Sequence, residues 1–327
     1  MRSFGALCRR AAACLALAAL LTCGRIEPAA ALSCSASVSD INFGTVDLLQ
    51  GSAVDTTATV SISCNGITLA GVRVCPYIGN GSGGRDSSYR HLQGAGSAVA
   101  YQLYTDAART IVWGDATLGF GSYPTVDFAG NAGGTGTGST TLTLYGRIPA
   151  GHAPVAADDY SSNFTVADTD FEYGTNDLSL PACSAAQILS GSVNPTFAAS
   201  AAIEKDCVVS AGNVSFGTHG LLSSSLTSSG VVTVKCTPAT DYSVALSNGN
   251  NGASPGERKM KNGSETVTYG LYRDTGRTNL WGDTAGFLAS ATGSGANQNF
   301  TVYGLVPAQP TPSPGNYTDT VVVTVTY

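Results

Sequence analysis

The sequence predicts an all-β protein made of two tandem immunoglobulin-like β-sandwich modules, and three observations support this prediction. Segments such as TATVSISC and VVTVKC alternate apolar and polar residues with a period of two, which is the pattern of a half-buried strand. Charged residues make up only 12% of the chain, and glycine contributes 40 of its 327 residues, a composition that suits short strands joined by many turns. The phrase RTIVWGD at residues 109–115 returns as RTNLWGD at residues 277–283, which indicates that one β-module is used twice.

Residues 1–31 have the features of a signal peptide. Three arginines among the first ten residues precede the apolar run AAACLALAALL, and PAAA offers small residues for cleavage after Ala31. The run is too short to span a bilayer comfortably, because a transmembrane helix needs about 20 apolar residues. A lipoprotein signal ending at Cys23 is the alternative, although Thr22 is a poor small residue before it. In both cases the mature protein is expected to be exported.

The repeated segments lie in the same order in both halves of the chain. CSASVSDINFGTVDLLQGSAVDTTATVSISC, at residues 34–64, matches CVVSAGNVSFGTHGLLSSSLTSSGVVTVKC, at residues 207–236. Further on, AVAYQLYTDAARTIVWGD matches TVTYGLYRDTGRTNLWGD, and TLTLYGRIPAG matches NFTVYGLVPAQ. We therefore predict a first module of about seven strands over residues 32–186, a linker over residues 187–196 and a second module over residues 197–327. The segment TFAASAAIEKDC is expected to form the first strand of the second module.

The six cysteines that follow the signal peptide are expected to form three disulfides, because an even number in an exported chain is typical of a disulfide framework. Six cysteines allow 15 pairings, and the repeat selects among them. Each module repeats one cysteine pair about 30 residues apart, and the two cysteines left over belong only to the first module. The predicted pairs are Cys34–Cys64, Cys207–Cys236 and Cys75–Cys183.

The two tryptophan phrases are interpreted as structural corners. Trp113 and Trp281 each follow a turn-forming stretch, YTDAART or YRDTGRT, and a tryptophan can fill a corner of a core while its N–H bonds to a carbonyl. A ligand site formed by both tryptophans is the alternative. Duplication favours the structural interpretation, because a fold needs its corner in both modules whereas a function seldom needs its site twice.

The composition and motifs argue against nucleic-acid binding and catalysis. The formal net charge is −6 and no basic patch is apparent, so nucleic acid is not expected as a partner. The three histidines do not have the spacing of a zinc motif, and no G-x-S-x-G elbow is present. GNGSGG at residues 79–84 is interpreted as a loop. We predict no cofactor, no metal and no enzymatic activity, although a pair of carboxylates for glycoside hydrolysis stays open.

The order of these motifs resembles that of the spore coat protein U domain family. The resemblance rests on a cysteine, NFGT, a second cysteine about 30 residues on, YxLYxDxxRTxxWGD, YGxxP and a terminal YTDTVVVTVTY. It implies pilins of archaic (Csu-type) chaperone–usher pili, and the two-module arrangement is similar to the tip adhesin of such pili. The implied partners are a periplasmic pilus chaperone, an outer-membrane usher and an adjacent pilin that donates a strand. The implied route is export through the periplasm to the pilus tip.

The same resemblance implies that the second module is an incomplete pilin fold, completed by a donor strand. Pilins of the family carry a donor strand before their first cysteine, whereas the expected mature chain begins at Leu32, two residues before Cys34. We therefore expect a subunit that receives a strand and gives none, as at a pilus tip. The alternative is a structural coat or pilus-shaft protein without a binding site. The acceptor groove is expected along one face of the last strand, at Val321, Val323, Val325 and Tyr327.

The first module is then expected to attach to a hydrophobic surface or an unknown receptor. Apolar residues in its predicted loops are the candidates, because clustered apolar loop tips usually mark an interaction site. The alternative is that these side chains pack into the core of the module itself. The candidates are Leu48, Leu49, Phe120, Tyr123, Val126, Phe128, Pro154 and Val155.

Overall fold

The computed structural model describes residues 31–115, 122–130, 136–175, 180–183 and 190–327, and within these ranges the chain is all-β. No helix in these ranges is long and apolar enough to cross a membrane. The predicted fold class is confirmed, and the strands group around two separate apolar cores. Strands β1–β12 surround the first core and strands β13–β20 the second. We call residues 32–203 module one and residues 207–327 module two.

The strands have the following bounds. In module one they are β1 (Ser33–Val38), β2 (Ile41–Thr45), β3 (Val54–Ile67), β4 (Val72–Ile78), β5 (Arg90–Gly94), β6 (Ser97–Tyr104), β7 (Val126–Phe128), β8 (Gly136–Ile148), β9 (Asp158–Phe164), β10 (Thr169–Gly174), β11 (Gly191–Val193) and β12 (Phe197–Ile203). In module two they are β13 (Cys207–Ala211), β14 (Leu226–Cys236), β15 (Asp241–Leu246), β16 (Arg258–Asn262), β17 (Glu265–Tyr272), β18 (Ala289–Thr292), β19 (Gln298–Val306) and β20 (Val323–Thr326).

Each module is a sandwich of two sheets with matching strand orders. In module one the larger sheet has the order β1-β3-β8-β6-β5-β9-β12-β2, and the smaller has the order β11-β10-β4-β7. In module two the corresponding orders are β13-β14-β19-β17-β16 and β18-β15-β20. Alternate residues of the strands point into the core, as the period of two requires. Four strands of module one, β2, β9, β11 and β12, have no counterpart among the strands described in module two. By sequence, residues 214–217 and 317–321 stand at the places of β2 and β9, and the second segment forms an isolated bridge to β16 at Thr318.

The segment TFAASAAI belongs to module one and not, as expected, to module two. Strand β12 pairs antiparallel with β9 and parallel with β2, which lies near the beginning of the chain. Its alternate residues Phe197, Ala199, Ala201 and Ile203 are buried in the first core. The alternation correctly predicted a strand, but it carries no information on which of two similar modules the strand completes. The connection between the modules is therefore the short segment 204–206.

The disulfides have the pairing that the repeat predicts. Cys34 is bonded to Cys64 and Cys207 to Cys236, each pair lying directly opposite on neighbouring strands. The third bond joins Cys75 on β4 to Cys183 and closes a separation of 108 residues. Tyr123 donates a hydrogen bond from its hydroxyl to the Cys183 carbonyl at 2.6 Å. These contacts fix a segment against the outer face of the smaller sheet, and module two has no disulfide at this place.

Removal of the third disulfide is expected to destabilise module one alone. Replacing both Cys75 and Cys183 by alanine frees a long loop in the unfolded chain. This should lower the free energy of unfolding of module one by about 2–4 kcal/mol. Thermal unfolding followed by limited proteolysis should show a lower midpoint for module one and an unchanged midpoint for module two. An unchanged midpoint for module one would contradict a stabilising role for this bond.

The tryptophan phrases form structural corners, as interpreted. Trp113 and Trp281 are buried, and their indole N–H groups donate to the carbonyls of Pro76 and Val244, both at 2.8 Å. In each preceding turn an aspartate side chain accepts backbone N–H bonds, as Asp106 does from Ile111 at 2.8 Å. The repeated phrase is therefore explained by the same corner in both sandwiches.

A buried arginine accompanies each corner, and sequence reasoning did not identify it. Arg90 and Arg258 are fully buried. Arg90 donates to the carbonyls of Ile78 and Trp113, and Arg258 donates to the corresponding carbonyls of Leu246 and Trp281. Each guanidinium thus connects the end of a strand in one sheet to the tryptophan corner. Burial lowers the pKa of Arg90 to about 10, so the side chain stays protonated at neutral pH.

Two carboxylates lie in a poorly hydrated position on the outer face of β10. Asp170 pairs across the sheet with Tyr77, and Glu172 pairs with Cys75. Among the residues that the structure describes, one oxygen of each carboxylate is buried without a hydrogen-bond partner. Burial, and secondarily the charge of Asp170, raises the pKa of Glu172 above its usual value. Ionised Glu172 therefore opposes folding.

The Glu172→Gln substitution is expected to stabilise module one at pH 7. Because the pKa is higher in the folded state, the penalty from Glu172 is absent below its ordinary pKa of 4.5 and develops as the pH rises. The thermal midpoint of the variant should exceed that of the parent at pH 7, and the difference should vanish below about pH 4. Glu257→Gln, at an exposed position of module two, is the control. A gain that is independent of pH would contradict this explanation.

Candidate functional site

The candidate functional site is the place in module two that corresponds to β11 and β12 in module one. The two modules can be compared position by position, because their corner tryptophans, buried arginines and disulfides occupy the same places in the strand order. In module one, β11 pairs with β10 and β12 pairs with β9 and β2. In module two, none of the described strands occupies either place. Both places are therefore unfilled among the described strands, and we call the space that counterparts of β11 and β12 would occupy in module two the groove.

One wall of the groove is the segment VSFG. Its counterpart in module one is β2, where Ile41 and Phe43 are buried beneath β12. The corresponding Val214 and Phe216 of module two are only half-buried, although both pack against the second core. Nearby, Val38 of module one is buried whereas its counterpart Ala211 is exposed. The residues that lose their cover in module two are thus those that β11 and β12 cover in module one.

The other wall is the end of the chain, where the four predicted groove residues lie. Strand β20 pairs with β15 on one edge, and its other edge is unpaired among the described strands. The side chains of Val321, Val323 and Val325 are half-buried and pack against the second core. Tyr327 is 52% exposed, whereas its counterpart in module one, Tyr173, is buried. The Tyr327 hydroxyl donates to Asp206 in the connecting segment at 3.2 Å, and Tyr327 also lines the junction cavity. That these four residues form an acceptor groove stays a prediction.

The floor of the groove is aromatic. The ring of Phe216 meets that of Tyr269 edge to face, with 6.2 Å between the ring centroids. The Tyr269 hydroxyl donates to Asp319 at 2.8 Å. Burial is the main cause that raises the pKa of Tyr269 above its usual value, and the Asp319 carboxylate is the second. The Tyr317 hydroxyl donates to Glu265 at 2.9 Å. The floor is therefore a set of rings held by hydrogen bonds, and an open strand edge lies beside it.

This arrangement can bind an extended polypeptide. A free strand edge offers backbone N–H and C=O groups, and the apolar floor offers pockets for alternate side chains, which together are the requirements for strand addition. Among the described residues no group of three or more His, Cys, Asp and Glu side chains is placed to hold a metal ion.

Four of the predicted surface-binding residues lie at the junction with module two. Leu48 and Leu49 are buried, so the expectation that they form an exposed loop tip is wrong. Lys235 of module two donates from its Nζ to the Leu49 carbonyl at 2.8 Å. Both leucines, together with the half-buried Pro154 and Val155, line a cavity of about 300 Å³ that is also lined by the connecting segment 204–206 and by residues of module two.

The other predicted surface-binding residues pack against module one. Val126 is buried in the first core, so its expected exposure is also wrong. Phe128 and Tyr123 are half-buried against the same core, and the Tyr123 ring meets that of Tyr77 edge to face at 4.6 Å. Phe120 lies outside the described residues. These side chains pack inward because β7 pairs with β4 instead of extending from the sandwich.

An exposed apolar side chain that the sequence analysis did not select lies at the opposite end of module one. Strand β3 runs from Val54, near the junction, to Ile67, and the turn that follows contains Leu69. Leu69 is 73% exposed, and its carbonyl lies beside Gly130, so this turn adjoins the loop that follows β7. No sequence signal separated this single leucine from the many apolar residues of the strands.

Comparisons with known proteins match both halves of the chain. A model of the Spore Coat Protein U domain family matches residues 21–167 and again residues 193–324. Protein U of Myxococcus xanthus is 32% identical over 129 residues, which is 36% of this chain and 72% of that protein. The second family match begins before β12. The repeating unit of sequence therefore includes a strand that, in space, completes the preceding module.

A solved structure is similar over both modules. It is the pre-assembly complex of chaperone and tip adhesion subunit from the archaic chaperone–usher Csu pili of Acinetobacter baumannii. The similarity has a TM-score of 0.52 at 18% identity, and it covers 90% of this chain and 100% of the compared chain. At this identity the comparison establishes the shared fold.

Proposed function

Because the chain belongs to the Spore Coat Protein U domain family, we propose that it is a subunit of an archaic chaperone–usher pilus whose module two receives a strand from a neighbouring subunit. One observation carries this proposal. Strand β12 precedes the first cysteine of the second sequence unit, yet it completes module one. By the same rule, the strand that completes module two would precede the first cysteine of the next unit, on the adjacent subunit.

The proposed partners follow from the open groove. An unpaired edge beside an apolar cleft promotes aggregation, so a periplasmic chaperone would cover the groove of module two until an outer-membrane usher exchanges it for the strand of the neighbouring pilin. The similarity to a complex of a chaperone with a tip adhesion subunit supports these partners. The route would end outside the cell, on the pilus.

We further propose that the chain acts at the pilus tip and attaches through module one. Module one contains its completing strand within the chain, so it needs no strand from a partner and is free for attachment. The residues at the junction face module two, which leaves the end that carries Leu69 as the proposed contact surface. Phe120, a predicted loop residue that lies outside the described residues, is a further candidate. Attachment there to a hydrophobic surface or receptor would support biofilm formation. No enzymatic step is part of this proposal.

Attachment of piliated cells tests this function. Cells that lack the chain are complemented with the parent or with a Leu69→Ser, Phe120→Ser double variant, and their attachment to a hydrophobic surface is measured. The double variant should be secreted normally and attach several-fold less. Val166→Ser, which changes an exposed apolar residue elsewhere on module one, is the control. Unchanged attachment with normal pili would favour the alternative, a structural coat or shaft protein, for which the similarity to Protein U is the supporting observation.

A further inference from the structure

We infer that the groove of module two selects a strand with alanine-sized side chains at its two central inward positions, running antiparallel to residues 317–327. The inference rests on the proposed function, and it specifies the kind of strand that the neighbouring subunit must supply. It is drawn from module one, where the corresponding groove is already filled and the strands that pair with the filling segment have defined registers.

The filling strand of module one carries small residues at its centre. Ala199 lies opposite Ser162 on β9 and Ile41 on β2, and Ala201 lies opposite Tyr160. Both alanines are almost completely buried, at 0% and 3% exposure. Side chains directly opposite on neighbouring strands have their Cβ atoms about 5 Å apart, so a ring at one position restricts the size of its partner.

The floor beneath this centre is the same in both modules. In module one the rings of Phe43 and Tyr101 meet edge to face at 6.0 Å, and in module two those of Phe216 and Tyr269 do so at 6.2 Å. A glycine lies beneath each phenylalanine, Gly146 beneath Phe43 and Gly304 beneath Phe216. A Cβ at Gly304 would come within 2.8 Å of the Phe216 ring, so this close approach requires glycine. A floor of equal depth accepts side chains of equal size, and insertion of extra carbons into a packed site is destabilising.

The hydrogen bonds of the floor add a second reason for small residues. Asp319 replaces Ser162 of module one, and its carboxylate accepts bonds from the Tyr269 hydroxyl at 2.8 Å and from the Asn250 backbone N–H at 2.9 Å. An alanine-sized side chain opposite Asp319 leaves both bonds intact. A larger side chain would displace the carboxylate, and the Tyr269 hydroxyl would then be buried without a hydrogen-bond partner.

One end of the groove differs between the modules and accepts a large residue. In module one, Phe197 stacks on Phe164 with 4.2 Å between the ring centroids. In module two the residue corresponding to Phe164 is Val321, which is smaller. The incoming strand therefore has room for a bulky apolar side chain at this position, followed by the two small ones.

The direction of the strand follows from the walls. Strand β12 runs parallel to β2, and Asp40 before β2 accepts a hydrogen bond from the Ala198 N–H at 2.7 Å. Asn213 occupies the position of Asp40 in module two, and its side-chain oxygen can accept the same bond. In module one the filling segment begins at Gly191, directly opposite Tyr173. The incoming strand of module two is thus expected to begin beside Tyr327.

A set of fused chains tests both parts of the inference. Residues 191–203 are copied and joined after Tyr327 through a turn of about four residues, which permits only the antiparallel arrangement. The copied segment should fill the groove and raise the thermal midpoint of module two by about 10 °C, because a tethered strand has a high effective concentration. Leucine in place of both copied alanines, those of Ala199 and Ala201, should abolish most of this increase. Leucine at the copies of Ala198 and Ser200, which face away from the core, is the matched control and should preserve it.

Each other outcome has a definite meaning. Equal stabilisation by the inward and outward leucine variants would overturn the size selection while leaving strand acceptance intact. Stabilisation only with a long flexible linker of about 15 residues would overturn the direction, because a parallel strand must begin at the opposite end of the groove. If neither linker length stabilises module two, the groove does not accept a strand, and the proposed function itself fails.

Discussion

Replacement of Ala199 by glutamate is expected to unfold module one and to leave module two folded. Ala199 lies in β12, fully buried between β9 and β2. A carboxylate at this position would lose its hydration inside an apolar cluster, at a cost of more than about 4 kcal/mol. That cost is a large part of the stability of a small module. Limited proteolysis with mass spectrometry should therefore show rapid cleavage within residues 32–203 and a persistent fragment of module two.

A neighbouring substitution in the same strand provides the control. Ser200 is half-buried and its side chain points away from the first core, so Ser200→Glu keeps its charge hydrated. This variant should melt within a few degrees of the parent. If Ala199→Glu instead destabilised module two and spared module one, β12 would belong to the second module, as the sequence alone suggested.

The assignment of β12 shows where sequence reasoning reached its limit. The alternation of Phe197, Ala199, Ala201 and Ile203 predicted a strand with one buried face. The choice of sheet depends on pairing with β2, more than 150 residues earlier in the chain, and such long-range pairing leaves no local pattern. The repeat was also misleading in this respect, because the repeating unit of sequence begins before β12 whereas the unit that packs together ends with it.

The apolar loop residues illustrate a second limit. Leu48 and Leu49 correspond to Leu221 and Leu222, and the second leucine of each pair is buried in both modules. The first differs, since Leu48 is buried at the junction whereas Leu221 is 70% exposed. Leu48 packs into the core of module one, whereas in module two the second leucine, Leu222, packs into the core, so the repeat does not fix which leucine of the pair points inward. The groove residues of the last strand were predictable, because alternation fixes which side chains of a strand share one face.

The buried arginines were not predictable, although they are among the most constrained residues of the fold. Arg90 and Arg258 lie at matching positions, but the letters around them, SSYRHL and GERKMK, share little beyond the arginine itself. Arginine is usually exposed, so a single matching arginine in a strand predicts a solvated side chain. Only the positions of the acceptors, which are carbonyls from separate elements, show that the guanidinium is structural.

Replacement of Arg258 by methionine is accordingly expected to unfold module two. The guanidinium donates to the carbonyls of Leu246, Ser247, Pro255 and Trp281 at 2.7–3.0 Å. Methionine fills much of the volume but donates nothing, so four carbonyls lose a partner, and the bonds to Leu246 and Trp281 are buried. At about 1–3 kcal/mol for each buried group left without a partner, the loss is about 4 kcal/mol or more. Proteolysis should now cut module two first and leave a fragment of residues 32–203.

Three further variants separate the hydrogen bonds from other effects of the substitution. Lys259→Met changes the adjacent exposed residue and should be nearly neutral. Arg258→Lys keeps the charge but cannot reach four carbonyls in fork geometry, so it should lie between the parent and the methionine variant. Arg90→Met should transfer the effect to module one, because Arg90 occupies the matching corner. If Arg258→Lys were as stable as the parent, the positive charge alone would account for the role of this residue. The hydrogen bonds to the four carbonyls would then not be what stabilises module two.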